Sequence, residues 1–408
     1  MLETTQAPHH WLLSKRSRQL KAWLPASAAP PAVPLLILAG GVPDPGHLPF
    51  ADIADATSAL MEDEQDRATA LQYGGPQGPV PLRQELADWI GRIEGIELSK
   101  DHFMLTGGSA QALDNICRAF LDPGDAVIVE DPSFSGSIRS IRGQDVEVVG
   151  IPLDDKGMLT DQARSAAESI RASGKRLKLI YVIPNFHNPV GVTMSLERRR
   201  DLIAIARDHG ALIVEDAAYD GLRFYGEDLP SLYALSGGEG VIRMGTFSKI
   251  IATGLRLGFS QATPPVIESL VNMRFDMGTS PFTARMVVEM MRNGSMEEHR
   301  EKMVELYRRK RDAMIEALAE HCGEYASWSQ PEGGFFIWVE LKPGASSQEV
   351  ATAAYEEGAV VVAGESFFCN EDNHDHVRLA YSYIALEDIP EAIRRLGAGM
   401  KKVYDKAS

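Results

Sequence analysis

The chain contains 408 residues, 44% of them hydrophobic, and carries a formal net charge of −16 at pH 7. This length predicts two domains of ordinary size, because a single hydrophobic core rarely grows beyond about 250 to 300 residues. The acidic balance argues against nucleic-acid binding, since a phosphate backbone attracts clustered lysine and arginine side chains. Three widely separated cysteines form no CxxC pair, which fits a reducing compartment and predicts a cytoplasmic location.

The N-terminal stretch MLETTQAPHHWLLSKRSRQLKAWL places apolar residues singly among basic ones and lacks the continuous apolar core of a signal peptide. The Pro- and Ala-rich segment 26–34 predicts an extended linker. The longest apolar run, 33–42, is interrupted by Pro34 and by glycines, and it is shorter than the roughly 18 residues that a membrane span requires. We therefore expect no membrane segment.

Short apolar runs alternate with helical patterns through the middle of the chain. Polar or amphipathic stretches follow each of the runs HFMLTGG, DAVIVEDP, LKLIYVIPN and ALIVEDAAYD. Continuously apolar strands, each followed by a helix, indicate a parallel sheet that is covered on both faces. We therefore predict a large α/β domain over residues 55–290.

A different pattern follows this region. The charged stretch SMEEHREKMVELYRRKRDAMIEAL keeps mostly helical spacing, and the segments GGFFIWVEL and HVRLAYSYI then indicate strands. These features predict a smaller α/β domain over residues 291–408. Residues 1–54 are expected to form an N-terminal arm and a part of this small domain.

Ligands of open parallel sheets bind beyond the carboxyl ends of the strands, which directs attention to the polar residues after each apolar run. In TGGSAQ, two glycines permit a tight turn, and the amides of Ser109, Ala110 and Gln111 open a helix whose N-terminus attracts anions. The alternative is an ordinary glycine turn with Ser109 as the N-cap. The segment matches neither GxGxxG nor GxxxxGK[ST], which weakens a dinucleotide or P-loop interpretation.

Three further polar or aromatic residues follow such runs. Asp216 ends ALIVED and needs a partner if it is buried and ionised. A protonated nitrogen heterocycle is one such partner, and a cap on the next helix is the alternative. Phe134 either stacks on a planar ring or packs in the core. Asn188 either starts a turn or donates its amide to a phenolate-like oxygen.

The segment GTFSKIIATGLRLGF places Lys249 in apolar surroundings, which favour the neutral amine that forms Schiff bases. Thr246, Ser248 and Arg256 would then converge on an anion, most naturally a phosphate. The alternative is an ordinary surface lysine at a strand end. Arg378, in VRLAYS, offers a fork that suits a carboxylate, with a structural ion pair as the alternative.

One ligand accounts for all of these groups. Pyridoxal 5′-phosphate (PLP) needs an amine, an anion site, a carboxylate opposite its ring nitrogen, a donor for its ring oxygen and an aromatic side chain on its face. The sequence resembles the class I aminotransferases of PLP fold-type I, in particular the branch with 2-aminoadipate and broad-specificity transaminases. The resemblance extends from about residue 12 to the C-terminus and rests on the ordered motifs GGVPDP, YGGPQG, TGGSAQALD, VEDPSFSG, PNFHNPVG, VEDAAYDGLRF, GTFSKIIATGLRLGF, PEGGFFIWVEL and VRLAYS.

The resemblance implies a large domain with a mainly parallel seven-stranded sheet and a smaller α/β domain. It implies transfer of an amino group from an L-amino acid to a 2-oxo acid, through a Schiff base on Lys249 and pyridoxamine phosphate. Asp216 would hold the pyridinium, Asn188 and Tyr219 the ring hydroxyl, and Phe134 would stack on the ring. The implied phosphate ligands are Ser109, Ala110, Gln111, Thr246, Ser248 and Arg256.

The resemblance also implies that Tyr73, in YGGPQG, reaches the phosphate of a neighbouring subunit, so that the active unit is a homodimer with shared sites. The substrate carboxylate would be held by Arg378 and by the backbone at Gly41, with Asn188 close to the substrate. Two residues depart from the usual family pattern. His187 stands where glutamine is common, beside Asn188, and leaves the side-chain preference open, and Ala217 stands where a second aspartate is common.

Other functions remain open at this stage. Another PLP reaction, such as β- or γ-elimination, decarboxylation or oxidation, would use the same residues with a different substrate orientation. A PLP-binding regulator is disfavoured, since too few residues precede GGVPDP for a winged-helix domain, and a Rossmann dehydrogenase would need a glycine fingerprint that is missing. The NHDH motif at 373–376 suggests a metal ligand set, but a polar loop before a strand is the favoured interpretation, and no metal is expected.

Overall fold

The computed structural model describes residues 12–14, 33–369 and 375–407. Most of the N-terminal stretch and of the predicted linker lies outside these ranges, as do the first two residues of the NHDH motif. The strands are β1 (Leu36–Ile37), β2 (Phe103–Thr106), β3 (Ala126–Asp131), β4 (Glu147–Asp154), β5 (Gly157–Met158), β6 (Leu177–Val182), β7 (Leu212–Asp216), β8 (Val241–Thr246), β9 (Gly258–Gln261), β10 (Ala326–Trp328), β11 (Phe336–Leu341), β12 (Ala359–Val360), β13 (Val362–Ala363) and β14 (His376–Ala380). The α-helices are α1 (Phe50–Glu62), α2 (Glu64–Ala70), α3 (Val80–Glu94), α4 (Ser109–Phe120), α5 (Ser135–Arg142), α6 (Thr160–Ala172), α7 (Leu196–His209), α8 (Leu232–Leu235), α9 (Pro264–Asn272), α10 (Pro281–Arg292), α11 (Ser295–His321), α12 (Ser347–Glu356) and α13 (Ile389–Ala407).

The large sheet has the strand order β2-β9-β8-β7-β6-β3-β4-β5. Five consecutive strands, from β8 to β4, run parallel to one another, whereas β9, β2 and β5 are antiparallel to their neighbours. The prediction of a mainly parallel sheet is confirmed. An eighth strand, β5, accompanies the seven expected ones; it is a two-residue hairpin partner of β4, too short for its own hydrophobic pattern.

The central strands are continuously apolar because both faces of the sheet are covered. Val127 and Val129 of β3 belong to one apolar core, whereas Ala126 and Ile128 of the same strand belong to the core on the opposite face. Alternate side chains of a strand point to opposite faces, so a strand buried on both sides needs apolar residues throughout. The same alternation occurs along β6.

The parallel arrangement brings four strand ends to one edge of the sheet. In the sheet, β3 lies beside β6, β6 beside β7 and β7 beside β8, and each of these pairs is parallel. Because parallel strands have their carboxyl ends on the same side, the segments that follow them lie next to one another. This edge carries Asp216, the last residue of β7, and Thr246, the last residue of β8.

The second sheet is antiparallel, with the order β10-β11-β14-β13, and β1 pairs with β12 in a separate two-stranded sheet. The expected strands in GGFFIWVEL and HVRLAYSYI are confirmed as β11 and β14, and the expected long helix as α11. Helix α13 packs against both α11 and α12 beside this sheet. In the register of β14, Arg378 lies opposite Trp338 of β11 and Val362 of β13.

The segment after β1 is attached to both the small sheet and the long helix. The amide of Ala380, in β14, donates to the carbonyl of Leu38 at 2.6 Å. The ammonium of Lys310, in α11, lies 2.5 Å from a carboxylate oxygen of Asp44 and donates to the carbonyl of Ser382 at 3.1 Å. Lys310 is fully buried, so this ion pair fixes the segment from inside the protein.

Within residues 12–14, 33–369 and 375–407, no helix is long and apolar enough to cross a membrane. Over the same ranges, no group of three or more His, Cys, Asp or Glu side chains is arranged to hold a metal ion. The part of the NHDH motif that precedes Asp375 lies outside these ranges.

The buried ion pair generates a stability prediction. Lys310→Met keeps the length of the side chain but leaves the carboxylate of Asp44 buried without its ammonium partner. Breaking a buried pair from one side typically lowers the free energy of unfolding by about 3 to 5 kcal/mol, measured here by equilibrium urea unfolding. Lys402→Met is the matched control, because Lys402 is half-exposed and pairs with Glu357 at the surface. Similar losses in both variants would contradict the assignment.

Candidate active site

The α4 helix starts at the edge formed by the strand ends, directly after β2. Its N-cap is Gly108, whose φ of +89° is readily adopted only by glycine, and no side chain caps the helix. The alternative in which Ser109 is the N-cap is therefore wrong. The amides of Ser109, Ala110 and Gln111 form the first helical turn, as expected, and their positive dipole end suits an anion.

Two hydroxyls and a guanidinium lie around this helix start. The hydroxyl oxygens of Thr246 and Ser248 are 2.9 Å apart and buried. Arg256 adopts a left-handed backbone conformation with φ of +48°, and its Nη2 donates to the carbonyl of Gly107 at 2.9 Å. A Cβ at Gly108 would lie 3.1 Å from the same nitrogen, so the missing side chain lets the guanidinium approach the helix terminus.

Lys249 follows β8 and extends toward the segment after β1. Its Nζ donates to the carbonyl of Gly41 at 2.7 Å. The same nitrogen lies 5.8 Å from the ring centroids of both Tyr219 and Phe335, so two aromatic faces surround the amine. These contacts exclude the alternative of an ordinary surface lysine.

The electrostatic surroundings of Lys249 favour its neutral form. Burial, together with the smaller effect of the positive charge of Arg378, lowers the pKa of Lys249 from its ordinary value to about 8, while the charge of Asp216 opposes this shift. An amine with a pKa of about 8 is substantially neutral near physiological pH. It can therefore act as a nucleophile and as a proton carrier.

Asp216 occupies the last position of β7 and is buried, with only 7% of its surface exposed. Its Oδ1 accepts a hydrogen bond from the amide of Ala218 at 3.2 Å, and its Oδ2 accepts one from the hydroxyl of Tyr181 at 2.7 Å. Burial raises the pKa of Asp216 to about 6, against the lowering effect of these two donors. Residues 218–221 form a turn and not a helix, so Asp216 does not cap a helix.

Asn188, Tyr219 and Arg378 form a connected set on another wall. The side-chain amide of Asn188 donates to the hydroxyl of Tyr219 at 3.2 Å, and its carbonyl oxygen accepts from Nη1 of Arg378 at 3.2 Å. Burial raises the pKa of Tyr219, which keeps its hydroxyl protonated. All three side chains are therefore fixed by one another before any ligand is considered.

Arg378 is buried without a carboxylate partner. Its guanidinium carbon lies 4.5 Å from the ring centroid of Phe336 and 4.9 Å from that of Phe367, and Nη2 donates to the carbonyl of Ala39 at 2.8 Å. Burial lowers the pKa of Arg378 to about 10, and its Nε has no hydrogen-bond partner among the described residues. No ion pair in the described part of the chain involves Arg378, so the structural ion-pair alternative is not supported.

These groups line one cavity of about 310 Å³. The glycine at position 41 is required there, because a Cβ would lie 2.7 Å from the ring of Phe336. The lining contains most of the residues expected from the sequence: Gly41, Ser109, Ala110, Phe134, Asn188, Asp216, Tyr219, Thr246, Ser248, Lys249, Arg256 and Arg378.

Gln111, Tyr73 and His187 lie outside this lining. The side-chain oxygen of Gln111 accepts a hydrogen bond from the amide of Gly107 at 2.6 Å. The side chain of Tyr73 is 83% exposed on the surface of this subunit. His187 is buried, with its Nε2 3.0 Å from a carboxylate oxygen of Glu130. The side chain of His187 therefore contacts a buried carboxylate and does not line the cavity.

The sequence analysis missed several residues of this wall. Phe336 stood within a quoted motif, but a phenylalanine inside an apolar strand gives no signal that its ring faces a ligand. Ala218 contributes its backbone amide to Asp216, and no sequence pattern reveals a backbone contact. The amide of Ala217, the other departure from the family pattern, donates to the carbonyl of Met244 at 2.9 Å.

The sequence pattern of the family described as "Aminotransferase class I and II" matches residues 35–396. The chain belongs to this family. Its members are PLP-dependent, and the chain is accordingly a PLP-dependent transaminase of this fold, as its motifs predicted. The match spans both sheets and every residue that lines the cavity.

Named relatives agree with this assignment. Aromatic-amino-acid aminotransferase 1 of Thermococcus litoralis is 37% identical over 91% of this chain and 89% of its own length. The crystal structure of a multiple substrate aminotransferase from Thermococcus profundus is 36% identical, with a TM-score of 0.90 over 98% of this chain and all of the other. An alpha-aminoadipate aminotransferase from Thermus thermophilus, complexed with N-(5'-phosphopyridoxyl)-L-leucine, is 33% identical, with a TM-score of 0.84 over 91% and 93% of the two chains.

The residues present fit PLP. An amine of lowered pKa, a buried carboxylate and an uncapped helix N-terminus with Arg256 beside it face one cavity. They match the aldehyde, the ring nitrogen and the phosphate of the cofactor, each of which needs a group of complementary charge or reactivity. A side chain at position 108 or 41 would crowd Arg256 or Phe336, and both positions are glycine.

The surroundings of Lys249 predict its reactivity in PLP-free protein. We expect competitive reductive methylation, quantified by mass spectrometry across pH, to report a pKa near 8 for Lys249. At pH 8 about half of such an amine is neutral, against well under 1% of one that titrates at 10.4 or above. Arg378→Met should raise the pKa of Lys249, because it removes a neighbouring positive charge.

Lys402 provides the internal reference, since Glu357 raises its pKa above the ordinary value. A labelling profile of Lys249 that coincides with that of Lys402 would refute the assignment of a low-pKa amine.

Proposed function

We propose that this aminotransferase anchors PLP covalently through Lys249 and uses the same side chain to move the substrate proton. The observation that carries this proposal is the position of its amine, which is enclosed by aromatic rings, has a lowered pKa and faces the same cavity as Asp216. When the substrate amine takes its place, the released amine of Lys249 remains beside the α-carbon. It then removes the proton there and delivers it again.

We assign the phosphate site to the start of α4 and the end of β8. The first-turn amides donate hydrogen bonds, and Thr246, Ser248 and Arg256 add hydroxyls and a positive charge. The full set is Ser109, Ala110, Gln111, Thr246, Ser248 and Arg256. Gln111 contributes through its backbone, since its side chain is already bonded to the loop.

We propose that Phe134 would stack on the cofactor ring, that Asp216 would hold the ring nitrogen, and that Asn188 and Tyr219 would hold the ring hydroxyl. PLP supplies the electron sink that stabilises negative charge at the α-carbon. The carboxylate of Asp216 keeps the ring nitrogen protonated. Asn188 and Tyr219 are already joined by a hydrogen bond, which fixes both donors in place.

The substrate carboxylate is assigned to Arg378 and to the backbone at Gly41. Arg378 is held between two aromatic rings and by Asn188, so its fork is fixed in direction. A bidentate pair sets the rotation about the bond between the amine nitrogen and the α-carbon. This orientation would present the C–H bond of the substrate, rather than the bond to its carboxylate, to Lys249, which would favour proton transfer over decarboxylation.

The substrates are an L-amino acid and a 2-oxo acid. The named relatives act on aromatic amino acids and alpha-aminoadipate, and one is described as a multiple substrate enzyme. We therefore propose that aromatic amino acids and 2-aminoadipate are among the donors. Residues 55–290 are proposed as the PLP-binding domain, with 1–54 and 291–408 as the N-terminal arm and small domain.

We further propose a cytoplasmic homodimer in which Tyr73 completes the site of the other subunit. Tyr73 is 83% exposed, and Phe275, 86% exposed, lies on a neighbouring loop. The two loops touch, because a Cβ on Gly278 would lie 2.1 Å from the carbonyl of Gly75. Adjacent exposed aromatic residues are typical of an interface. Three buried free thiols are compatible with the reducing cytoplasm.

A half-reaction tests the proposed chemistry. Purified enzyme given an amino donor and no 2-oxo acid should release one equivalent of 2-oxo acid per site and then stop, and a 2-oxo acid added later should restart it. Borohydride reduction of the resting enzyme should place the phosphopyridoxyl group on Lys249 in peptide mapping. Lys249→Ala should abolish both results.

Continuous release of ammonia or carbon dioxide, or consumption of oxygen, would instead indicate a lyase, decarboxylase or oxidase. A label on another lysine would require a different anchor.

Subunit mixing tests the shared site. Lys249→Ala and Tyr73→Phe chains are each impaired alone, but a hybrid dimer has one site with both residues intact. Random exchange makes about half of the dimers hybrid, which restores roughly a quarter of wild-type activity. The control mixture of Lys249→Ala and Asp216→Ala should recover nothing, because both residues belong to one subunit's site. Equal behaviour of the two mixtures would contradict the role of Tyr73.

A further inference from the structure

A chain of buried hydroxyls ends on the carboxylate of Asp216. The hydroxyl of Ser137 lies 2.8 Å from the hydroxyl oxygen of Tyr181, which in turn lies 2.7 Å from Oδ2 of Asp216. Ser137 is 3% exposed, Tyr181 1% and Asp216 7%. Neither Ser137 nor Tyr181 lines the cavity, so both lie on the side of Asp216 that faces away from it.

The fold places these three residues next to one another. Tyr181, in β6, is paired in register with Val214 of β7, two residues before Asp216. Ser137 belongs to the first turn of α5, the helix that Phe134 precedes. One helix start therefore positions both the proposed stacking ring and the hydroxyl that contacts Tyr181.

The direction of the hydrogen bonds is set by the last acceptor. A hydroxyl carries one hydrogen, and the carboxylate of Asp216 can only accept, so Tyr181 donates to Asp216 and receives its own hydrogen bond from Ser137. Burial raises the pKa of Tyr181 well above its ordinary value, which keeps this donor protonated. The amide of Ala218 occupies the other carboxylate oxygen, and each oxygen retains a lone pair for a ligand.

We propose that Tyr181, oriented by Ser137, is a positioning residue that keeps Asp216 ionised and directed at the ring nitrogen of PLP. This inference rests on the proposed role of Asp216. Burial alone favours a neutral carboxyl group, which would leave the ring nitrogen unprotonated. A hydrogen bond to the ionised form counteracts burial, so the proton stays on the ring and the ring remains an effective electron sink.

Packing does not account for the hydroxyl of Tyr181. A phenylalanine would fill the same apolar space, and a buried hydroxyl is unfavourable unless it is bonded. A second buried carboxylate, Glu130, acts on Tyr181 electrostatically but has its own partners. Its Oε2 accepts a hydrogen bond from the amide of Ile183 at 2.8 Å and lies 3.0 Å from Nε2 of His187. The hydroxyl of Tyr181 donates its own hydrogen bond to Asp216.

The test measures the contribution of the ring nitrogen to cofactor binding separately from that of the other cofactor groups. Tyr181→Phe is compared with wild type in its affinity for PLP and for 1-deaza-PLP, in which a C–H group replaces the ring nitrogen. We expect the affinity for PLP to fall about 5- to 20-fold, because the lost hydrogen bond from Tyr181 weakens the interaction of Asp216 with the ring nitrogen. The affinity for the deaza analogue should stay unchanged, because that analogue has no ring nitrogen. Ser137→Ala should give a smaller change of the same kind.

A matched control is Tyr233→Phe. Tyr233, in α8, is also a buried tyrosine of the region 55–290, and it does not line the cavity. It should alter neither affinity. As an independent readout, the ¹⁵N chemical shift of ring-labelled PLP bound to Tyr181→Phe should move from the protonated toward the neutral value, and that of Tyr233→Phe should match wild type.

The outcomes distinguish this inference from the role of Asp216 itself. Equal losses of affinity for PLP and the deaza analogue in Tyr181→Phe, with an unchanged ¹⁵N shift, would show that Tyr181 acts through packing and would overturn the inference. Asp216→Ala, run in parallel, should abolish the preference for PLP over its analogue. If Asp216→Ala retained that preference, the proposed function of Asp216 would fail as well.

Discussion

The burial of Asp216 and Lys249 around one cavity is the constraint on which the site depends. Each charge stabilises the other, because Asp216 raises the pKa of Lys249 and Lys249 lowers that of Asp216. Burial acts against both charges and is the larger effect at each residue. As a result, Lys249 has a lowered pKa, and the carboxylate of Asp216 depends on hydrogen-bond donors to stay ionised. The strand ends of the parallel sheet supply the positions, and neighbouring elements supply the donors.

The small sheet contributes the part of the site that we propose for the substrate carboxylate. Arg378 comes from β14, and Gly41 comes from the segment after β1, which Lys310 fixes to the long helix through Asp44. The buried ion pair thus holds the Gly41 carbonyl where Lys249 donates to it. Residues from both ends of the chain therefore meet the large sheet at one cavity, and the geometry of catalysis depends on packing between the two sheets.

Sequence reasoning predicted the main elements and most of the cavity lining, since these rest on local signals. Apolar runs followed by helices predicted the parallel sheet, and TGGSAQ predicted the helix start, because two glycines before an amphipathic segment act locally. The position of the His187 side chain could not be predicted, because neighbours in sequence can point to different sides: His187 contacts Glu130, whereas Asn188 contacts Tyr219. Tyr181 was missed because a tyrosine in an apolar strand looks like core.

The sequence by itself determined the class of chemistry: a lysine in apolar surroundings, a carboxylate at a strand end and a glycine-rich helix start are local features whose residue types select a phosphate-bearing aldehyde. Only the tertiary structure decided which groups are buried and what they face. It sets the pKa of Lys249 near 8, separates Arg378 from any carboxylate and connects Tyr181 to Asp216. The physical reason is that desolvation and hydrogen-bond direction depend on neighbours distant in sequence, from β6, β7, β14 and α5, which meet only after the sheets pack.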